Sequence, residues 1–182
     1  MGGLTRGLSK SDQPRNNILR IFATVGTHEQ QFNRLVEAVD RIAAHNDVFI
    51  QTGYSTYVPE HCEHSTMIGY DDMVERVVSA DVVVTHGGPG SIMLALEMGK
   101  VPIAVPRLKA YGEHVNDHQL AFCTMMDDLG RCSLLLDASL MDKAVQHSFS
   151  NIAGSRESIV RSRQAFEAGF VSTIEKLIDG SR

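Results

Sequence analysis

Three turns in this chain follow short apolar runs and carry side chains that can bind an anion. They are Gly26-Thr-His-Glu-Gln-Gln31, His86-Gly-Gly-Pro-Gly-Ser91 and Gly112-Glu-His-Val-Asn-Asp-His-Gln119. Glycine lets backbone amides approach a ligand closely, and a helix start favours an anion by about 0.3–1 kcal/mol at an exposed position. The pattern predicts a site for a small molecule that carries phosphate.

The residues expected to contact this ligand come from the three turns and from the end of the strand between the last two. They are Gly26, Thr27, His28, Gln31, His86, Gly87, Gly88, Pro89, Gly90, Ser91, Arg107, Asn116, His118 and Gln119. Thr27 has the alternative role of capping the next helix, and Ser91 is expected to cap or begin its own helix. His86 has the alternative role of bracing its loop through backbone hydrogen bonds.

Apolar runs alternate with segments of helical period from Ile18 onward, which predicts an α/β fold with a Rossmann-like, doubly wound parallel sheet. Residues 1–17 are predicted to be a disordered tail and residues 18–182 to form one domain. The predicted strands are Leu19–Val25, Val48–Thr52, Met67–Gly69, Asp81–Thr85, Val101–Val105 and Ser133–Leu136. The predicted helices cover Phe32–Ile42, a segment capped by Asp71 or Asp72, Ser91–Met98, about His114–Asp128 and about 156–178.

Composition argues against several classes of partner. A net charge of −5 without a basic block makes a nucleic-acid partner unexpected. The chain has no run of 18 apolar residues and no apolar leader, so we expect a cytoplasmic protein without a membrane span. Its three dispersed cysteines predict neither a disulfide framework nor a zinc ribbon. The pairs His114/His118 and His61/His64 lack a complete ligand set, so no metal site is expected.

Three ordered motifs resemble the C-terminal, donor-binding half of family-28-type glycosyltransferases. They are Thr85-His-Gly-Gly-Pro-Gly-Ser91, Gly99-Lys-Val-Pro-Ile-Ala-Val-Pro-Arg107 and Gly112-Glu-His-Val-Asn-Asp-His-Gln119, and the resemblance spans about Ile18 to Asp137. It is strongest to small bacterial subunits of exopolysaccharide or capsule synthesis, which are related to the eukaryotic subunit that adds N-acetylglucosamine to dolichol diphosphate. The resemblance implies one half-domain of a GT-B enzyme and inverting transfer of a hexose from a UDP-sugar, without a metal or other cofactor.

The resemblance also implies a partner. A separate, membrane-anchored subunit is expected to supply the acceptor half and a lipid-linked saccharide, which would hold this chain at the inner face of the membrane. The helix at about 156–178 is expected to cover the sheet of its own domain, with docking against the acceptor half as the alternative.

Attack by an acceptor hydroxyl needs a general base. The candidates are His28, His86, Glu113 and His114, with Glu113 and His114 preferred, and the base could equally belong to the partner. The resemblance further implies that His118 and Gln119 read the transferred sugar. One departure from the family is Leu94, which stands where relatives carry the glutamate that holds ribose. A non-catalytic nucleotide-sugar-binding subunit and an epimerase-like protein are the alternative functions.

Overall fold

The computed structural model describes residues 18–151, which form a single parallel sheet covered by helices on both faces. The strands are β1 (Arg20–Thr24), β2 (Asp47–Gln51), β3 (Glu63–Ser65), β4 (Val82–His86), β5 (Ile103–Val105) and β6 (Ser133–Leu134). The helices are α1 (Asn33–Ala43), α2 (Tyr70–Ser79), α3 (Pro89–Glu97), α4 (His118–Asp128) and α5, which covers residues 141–151. Short 3₁₀ turns lie at Lys109–Tyr111 and Ala138–Leu140.

The central strands are apolar on both faces because helices cover the sheet on both sides. In β1, Ile21 and Ala23 pack with α1, whereas the intervening Phe22 packs on the opposite face with residues of α2 and α3. A third group of buried residues, which includes Ile92 and Cys123, packs α3 and α4 over β5 and β6. The alternation of side chains along each strand therefore divides the core between the two faces.

The strand order is β3-β2-β1-β4-β5-β6, with every neighbouring pair parallel. The chain builds outward from β1 to β3, then crosses back to β4 on the other side of β1 and continues outward to β6. Ligands in such sheets bind at the carboxyl ends of the strands where the direction of winding reverses. The ends of β1 and β4 form that point here, which confirms the predicted doubly wound α/β fold.

Several element boundaries differ from the predictions. The third strand is Glu63–Ser65 instead of Met67–Gly69, so it lies inside the polar segment that follows β2. Its side chains are mostly exposed, and it is held to β2 by backbone pairing, which leaves no apolar signature. Helix α2 begins at Tyr70 after an extended Gly69, so neither Asp71 nor Asp72 caps it.

The other helix starts also moved. Helix α3 begins at Pro89, where the ring's fixed φ suits the first turn, so Ser91 lies inside the helix and does not cap it. Helix α4 begins at His118 instead of His114, because the preceding residues form a loop with contacts of its own. Helix α1 begins at Asn33 after Phe32, so Thr27 does not cap it. The predicted tail at 1–17 and helix at 156–178 lie outside the described residues.

Candidate functional site

The loop after β1 is fixed by a buried glutamine. Gly26 has a φ of 74°, which favours glycine, and its N–H points to both Thr24 Oγ1 and Gln51 Oε1 at 3.2 Å. The Gln51 amide donates in turn to the Gly26 carbonyl at 3.0 Å, so one side chain at the end of β2 holds both polar groups of Gly26. Sequence reasoning missed Gln51, although a polar residue ending an apolar strand beside β1 is a usable signal.

His28, in the same loop, contacts His114 of the loop after β5, with the two rings tilted relative to each other. The ring centroids are 4.6 Å apart with an interplanar angle of 39°. Nδ1 of His28 accepts the N–H of Gln30 at 3.2 Å, and Nδ1 of His114 accepts the N–H of Asn116 at 3.3 Å. A nitrogen that accepts from an amide carries no proton, so in the neutral form each ring bears its proton on Nε2. Both imidazoles are therefore hydrogen-bond donors at their free edge.

The pKa of His28 is lowered from its ordinary value. Partial burial is the largest cause, and the proximity of His114 and Arg107 lowers the pKa further, whereas Glu29 acts in the opposite direction. The neutral ring is thus the form that this loop favours.

His86 ends β4 and fills the space between two glycines. A Cβ at Gly26 would lie 2.6 Å from Nε2 of His86, and a Cβ at Gly88 would lie 2.9 Å from Cδ2, with nearer ring atoms closer still. Burial lowers the pKa of His86 to about 4, helped by Arg107, while the Thr24 backbone opposes the shift. Nδ1 is enclosed and makes no hydrogen bond of ordinary geometry within residues 18–151. His86 is therefore a neutral packing residue between the first two turns.

The second turn leads into α3. Gly87 is packed against α4, because a Cβ there would lie 2.8 Å from Sγ of Cys123 and 2.9 Å from Cβ of Gln119. Gly90 differs from Gly87 and Gly88, since nothing lies within 4 Å of the position its Cβ would take. Pro89 and Gly90 are exposed and Ser91 is partly exposed, so the first turn of α3 is open to a ligand.

Arg107 is fully buried, which places it among the supports of the site and away from its surface. Its guanidinium donates to the carbonyls of Val25, Gln30, Gln31 and Glu113 at 2.7–3.1 Å. These bonds join the loop after β1 to the loop after β5. The position supports a role in holding the two loops together, and gives no support to the prediction that Arg107 contacts the ligand directly.

Glu113 is also buried, and its carboxylate is fully used. Arg34 Nε and Nη2 each donate to it at 2.9 Å, and the Leu108 N–H donates to Oε2 at 3.0 Å. Because its side chain is buried and both oxygens already accept N–H groups, Glu113 does not present an unoccupied oxygen to an acceptor hydroxyl. Arg34 precedes Glu113 by 79 residues, so no local spacing could have revealed this contact.

The start of α4 holds the remaining predicted residues. Asn116 Oδ1 accepts the His118 N–H at 3.2 Å, and Gln119 Oε1 accepts the Arg107 N–H at 3.1 Å. His118 is exposed, while Asn116 and Gln119 are partly exposed. In the first turn, Gln31 Oε1 accepts the N–H of Asn33 at 2.7 Å, whereas Thr27 is exposed.

The structure therefore brings His28, His86 and His114 together above a buried Arg107, at the edge where β1 and β4 end. A separate cavity of about 740 Å³ lies beside this site, lined by residues such as Arg34, Tyr111, Leu136 and Ser139. Of the predicted site residues, it includes only Gln31 and Glu113. Within residues 18–151, no group of three or more His, Cys, Asp or Glu side chains is arranged to hold a metal ion.

The sequence matches the glycosyltransferase family 28 C-terminal domain over residues 20–177. The chain belongs to this family. The family-28 domain is 31% identical over 123 residues to the human "UDP-N-acetylglucosamine transferase subunit ALG13", a match that covers 60% of this chain and 10% of the human protein. It is 27% identical over 126 residues to the "UDP-N-acetylglucosamine--N-acetylmuramyl-(pentapeptide) pyrophosphoryl-undecaprenol N-acetylglucosamine transferase" of Sulfurihydrogenibium sp., covering 66% of this chain and 35% of that protein.

Solved structures agree with the fold of this family-28 domain. The glycotransferase of kitacinnamycin superimposes with a TM-score of 0.62 at 20% identity, over 91% of this chain and 44% of that chain. MurG of Acinetobacter baumannii gives a TM-score of 0.51 at 19% identity, over 84% of this chain and 47% of that chain. The domain thus spans less than half of each of these proteins. None of its helices within residues 18–151 is both long and apolar enough to cross a membrane.

Proposed function

We propose that this chain is the donor-binding part of a UDP-sugar-dependent hexosyltransferase and that it places the sugar's diphosphate at the carboxyl ends of β1 and β4. The observation that carries the proposal is the meeting of His28, His86 and His114 with the open start of α3 at that edge, in a family-28 domain. Exposed amides and imidazole N–H groups are suitable partners for diphosphate oxygens.

The proposed reaction is an inverting displacement. An acceptor hydroxyl attacks the anomeric carbon, the bond from that carbon to the diphosphate oxygen breaks, and UDP leaves with the bonding electrons. The donors around His28 and His114 stabilise the negative charge that develops on the leaving group, because they are already oriented before the reaction. The acceptor's proton must pass to a base.

The contacts of His28, His86, Glu113 and His114, the four candidate bases, argue against each of them as the general base. Glu113 is held by Arg34, the Nδ1 atoms of His28 and His114 accept amide protons, and His86 is enclosed between glycines. We therefore propose that an acceptor-binding partner subunit supplies the base. The human relative's name describes it as a transferase subunit, which supports an enzyme divided between two chains.

By kinship, we further propose that the acceptor is a lipid-linked saccharide in exopolysaccharide or capsule synthesis and that the partner is membrane-anchored, which would hold this chain at the cytoplasmic face. No metal or other cofactor is needed in this scheme, because amides and imidazoles supply the donors for the diphosphate. Leu94 lies in α3 and offers no polar group, so ribose recognition must come from another residue.

Calorimetric titration of the full chain with UDP-glucose, UDP-galactose, UDP-N-acetylglucosamine, UDP and GDP-mannose tests the proposal, with and without the partner. We expect at least one UDP-sugar to bind in preference to GDP-mannose. His28→Gln should weaken that binding, whereas His45→Gln should leave it unchanged, since His45 is exposed at the opposite end of α1. Absence of UDP-sugar binding by the chain and by the reconstituted pair would refute the proposal.

A second candidate function is a subunit that binds the nucleotide sugar but does not stabilise the leaving group during transfer. This function is favoured by the hydrogen bonds that already occupy Glu113 and the Nδ1 atoms of His28 and His114. Transfer activity of the reconstituted pair distinguishes the two. If His28→Gln and His114→Gln weaken donor binding but leave the turnover number of the saturated pair unchanged, this chain serves as a binding subunit only.

A further inference from the structure

Within residues 18–151, Arg107 is the only arginine that is fully buried. Its side chain contacts several backbone segments that are distant in the sequence. Its guanidinium donates to the carbonyl oxygens of Val25 at 3.0 Å, of Gln30 at 2.7 Å and of Gln31 at 3.0 Å. The same group donates to the Glu113 carbonyl at 3.1 Å and lies 4.7 Å from the centre of the Phe32 ring. A single side chain thus connects the loop after β1 with the loop after β5.

Each of these loops carries a histidine beside the carbonyls that Arg107 holds. His28 lies between Val25 and Gln30, and His114 directly follows Glu113. Both segments are therefore bonded to the same guanidinium. The ring centroids lie 4.6 Å apart, and each Nδ1 accepts a backbone N–H, so Nε2–H is the donor group of each neutral ring.

Arg107 places one positive charge close to the two rings. Arg107 is held by neutral carbonyl oxygens, and the nearby carboxylate of Glu113 makes its ion pair with Arg34. Within residues 18–151, the Arg107 charge is therefore not neutralised by a direct ion pair, although the nearby Glu29 acts on His28 in the opposite direction. Burial lowers the pKa of Arg107 to about 10, with Glu113 acting in the opposite direction, so the guanidinium stays charged at neutral pH.

We propose that Arg107 is a positioning residue that fixes the His28 loop to the His114 loop, so that the two Nε2–H groups form one paired donor for the diphosphate of the nucleotide sugar. This inference rests on the proposed function for the identity of the ligand. The geometric part, that Arg107 sets the pairing of the two rings, stands on the contacts alone.

Arg107→Lys tests the positioning role, because an ammonium keeps the charge but lacks the planar fork that reaches several carbonyls. The control is Arg20→Lys, at an exposed arginine on the amino side of the sheet. We expect Arg107→Lys to weaken UDP binding by about tenfold, the effect of losing one hydrogen bond to a charged group, while uridine binding is unchanged. Equal losses for UDP and uridine, or no loss for UDP, would overturn the inference.

Imidazole NMR supplies a readout that a general loss of stability would not move. In the unaltered chain, both rings should show the Nε2–H tautomer and a nuclear Overhauser contact between His28 and His114. In Arg107→Lys that contact should disappear, whereas the resonances of the exposed His45 should stay unchanged. A retained contact would contradict the positioning role.

Variants of the histidines themselves cover the case in which Arg107→Lys fails to fold. If the rings act as one pair, His28→Gln and His114→Gln should each weaken UDP binding by about tenfold, and the double variant should add little to either loss. Losses that multiply would show independent rings and refute the inference. If the unaltered chain binds no UDP-sugar but Arg107→Lys still abolishes the ring contact, the proposed function fails and the positioning role remains.

Discussion

His86 makes the stability of this fold depend on pH. Its pKa is lowered by burial to about 4 from the ordinary value of 6.5, so the unfolded chain binds a proton at a pH where the folded chain does not. Stability therefore falls as the pH decreases through the interval between these values, and the loss is complete below about pH 4. The two pKa values correspond to a loss of about 2 kcal/mol at pH 5 and about 3 kcal/mol at the lower end.

Urea denaturation at pH 8 and pH 5 measures this effect in the full chain and in His86→Gln. Glutamine has no titrating group, so the variant should lose about 2 kcal/mol less than the unaltered chain between these two pH values. The quantity to compare is the change in the free energy of unfolding between pH 8 and pH 5, because His86→Gln also changes packing against Gly26 and Gly88 at every pH.

His45→Gln is the matched control, since His45 is exposed near the end of α1. Its pH dependence should equal that of the unaltered chain. The reasoning fails if His86→Gln shows the same difference between pH 8 and pH 5 as the unaltered chain. It also fails if NMR titration places the pKa of His86 near 6.5.

Two further predictions concern the packing of buried groups. Gly88→Ala should destabilise the fold by about 1–3 kcal/mol, because the new methyl group meets the His86 ring. Gly90→Ala has open space around it and should change the free energy of unfolding by about 1 kcal/mol at most. Equal effects of the two substitutions in denaturation experiments would contradict this account. Asp40→Asn should lower the free energy of unfolding by about 2–3 kcal/mol and return the pKa of Tyr57 from about 12 toward 10, because Asp40 accepts hydrogen bonds from Tyr57 and from the amides of residues 60 and 61. Asp47→Asn, at an exposed position, is the control. An unchanged tyrosine titration in Asp40→Asn would refute the assignment.

The central part of the fold could be predicted because its physics is local. Strands β1 and β4 are short apolar runs that must be buried on both faces, and α1 shows the helical spacing that covers them. Strand β3 could not be found in this way. Glu63 and His64 are exposed, and only backbone bonds to β2 define the strand.

The start of α4 illustrates a second limit. Residues at 113–117 read as the beginning of a helix, but their polar groups have partners elsewhere. Glu113 pairs with Arg34 and the Leu108 amide, and Asp117 Oδ1 accepts the Lys109 N–H at 2.9 Å. These contacts stabilise a loop over 108–117, and the helix begins only at His118. A reading of local spacing cannot anticipate a partner that is distant in the sequence.

The position of the candidate site was predictable, but the roles of its members were not. Turns after β1, β4 and β5 must meet at one edge of a parallel sheet, whatever their side chains do. Arg107 donates to the carbonyls of Val25, Gln30 and Gln31, which lie 76 to 82 residues earlier in the sequence. Its role therefore depends on how the whole sheet packs, which local spacing does not reveal. The same applies to Glu113, whose type suggests a base but whose two oxygens accept N–H groups of Arg34 and Leu108.

The three glycines of the second turn show how packing and ligand binding can be separated. Gly87 is required by α4 and Gly88 by the His86 ring, so both would be needed in a domain that bound nothing. Gly90 has no such neighbour, so its missing side chain leaves room for a ligand to approach the backbone closely. Gly90→Ala should therefore weaken UDP-sugar binding without loss of stability, a combination that a purely structural glycine cannot produce.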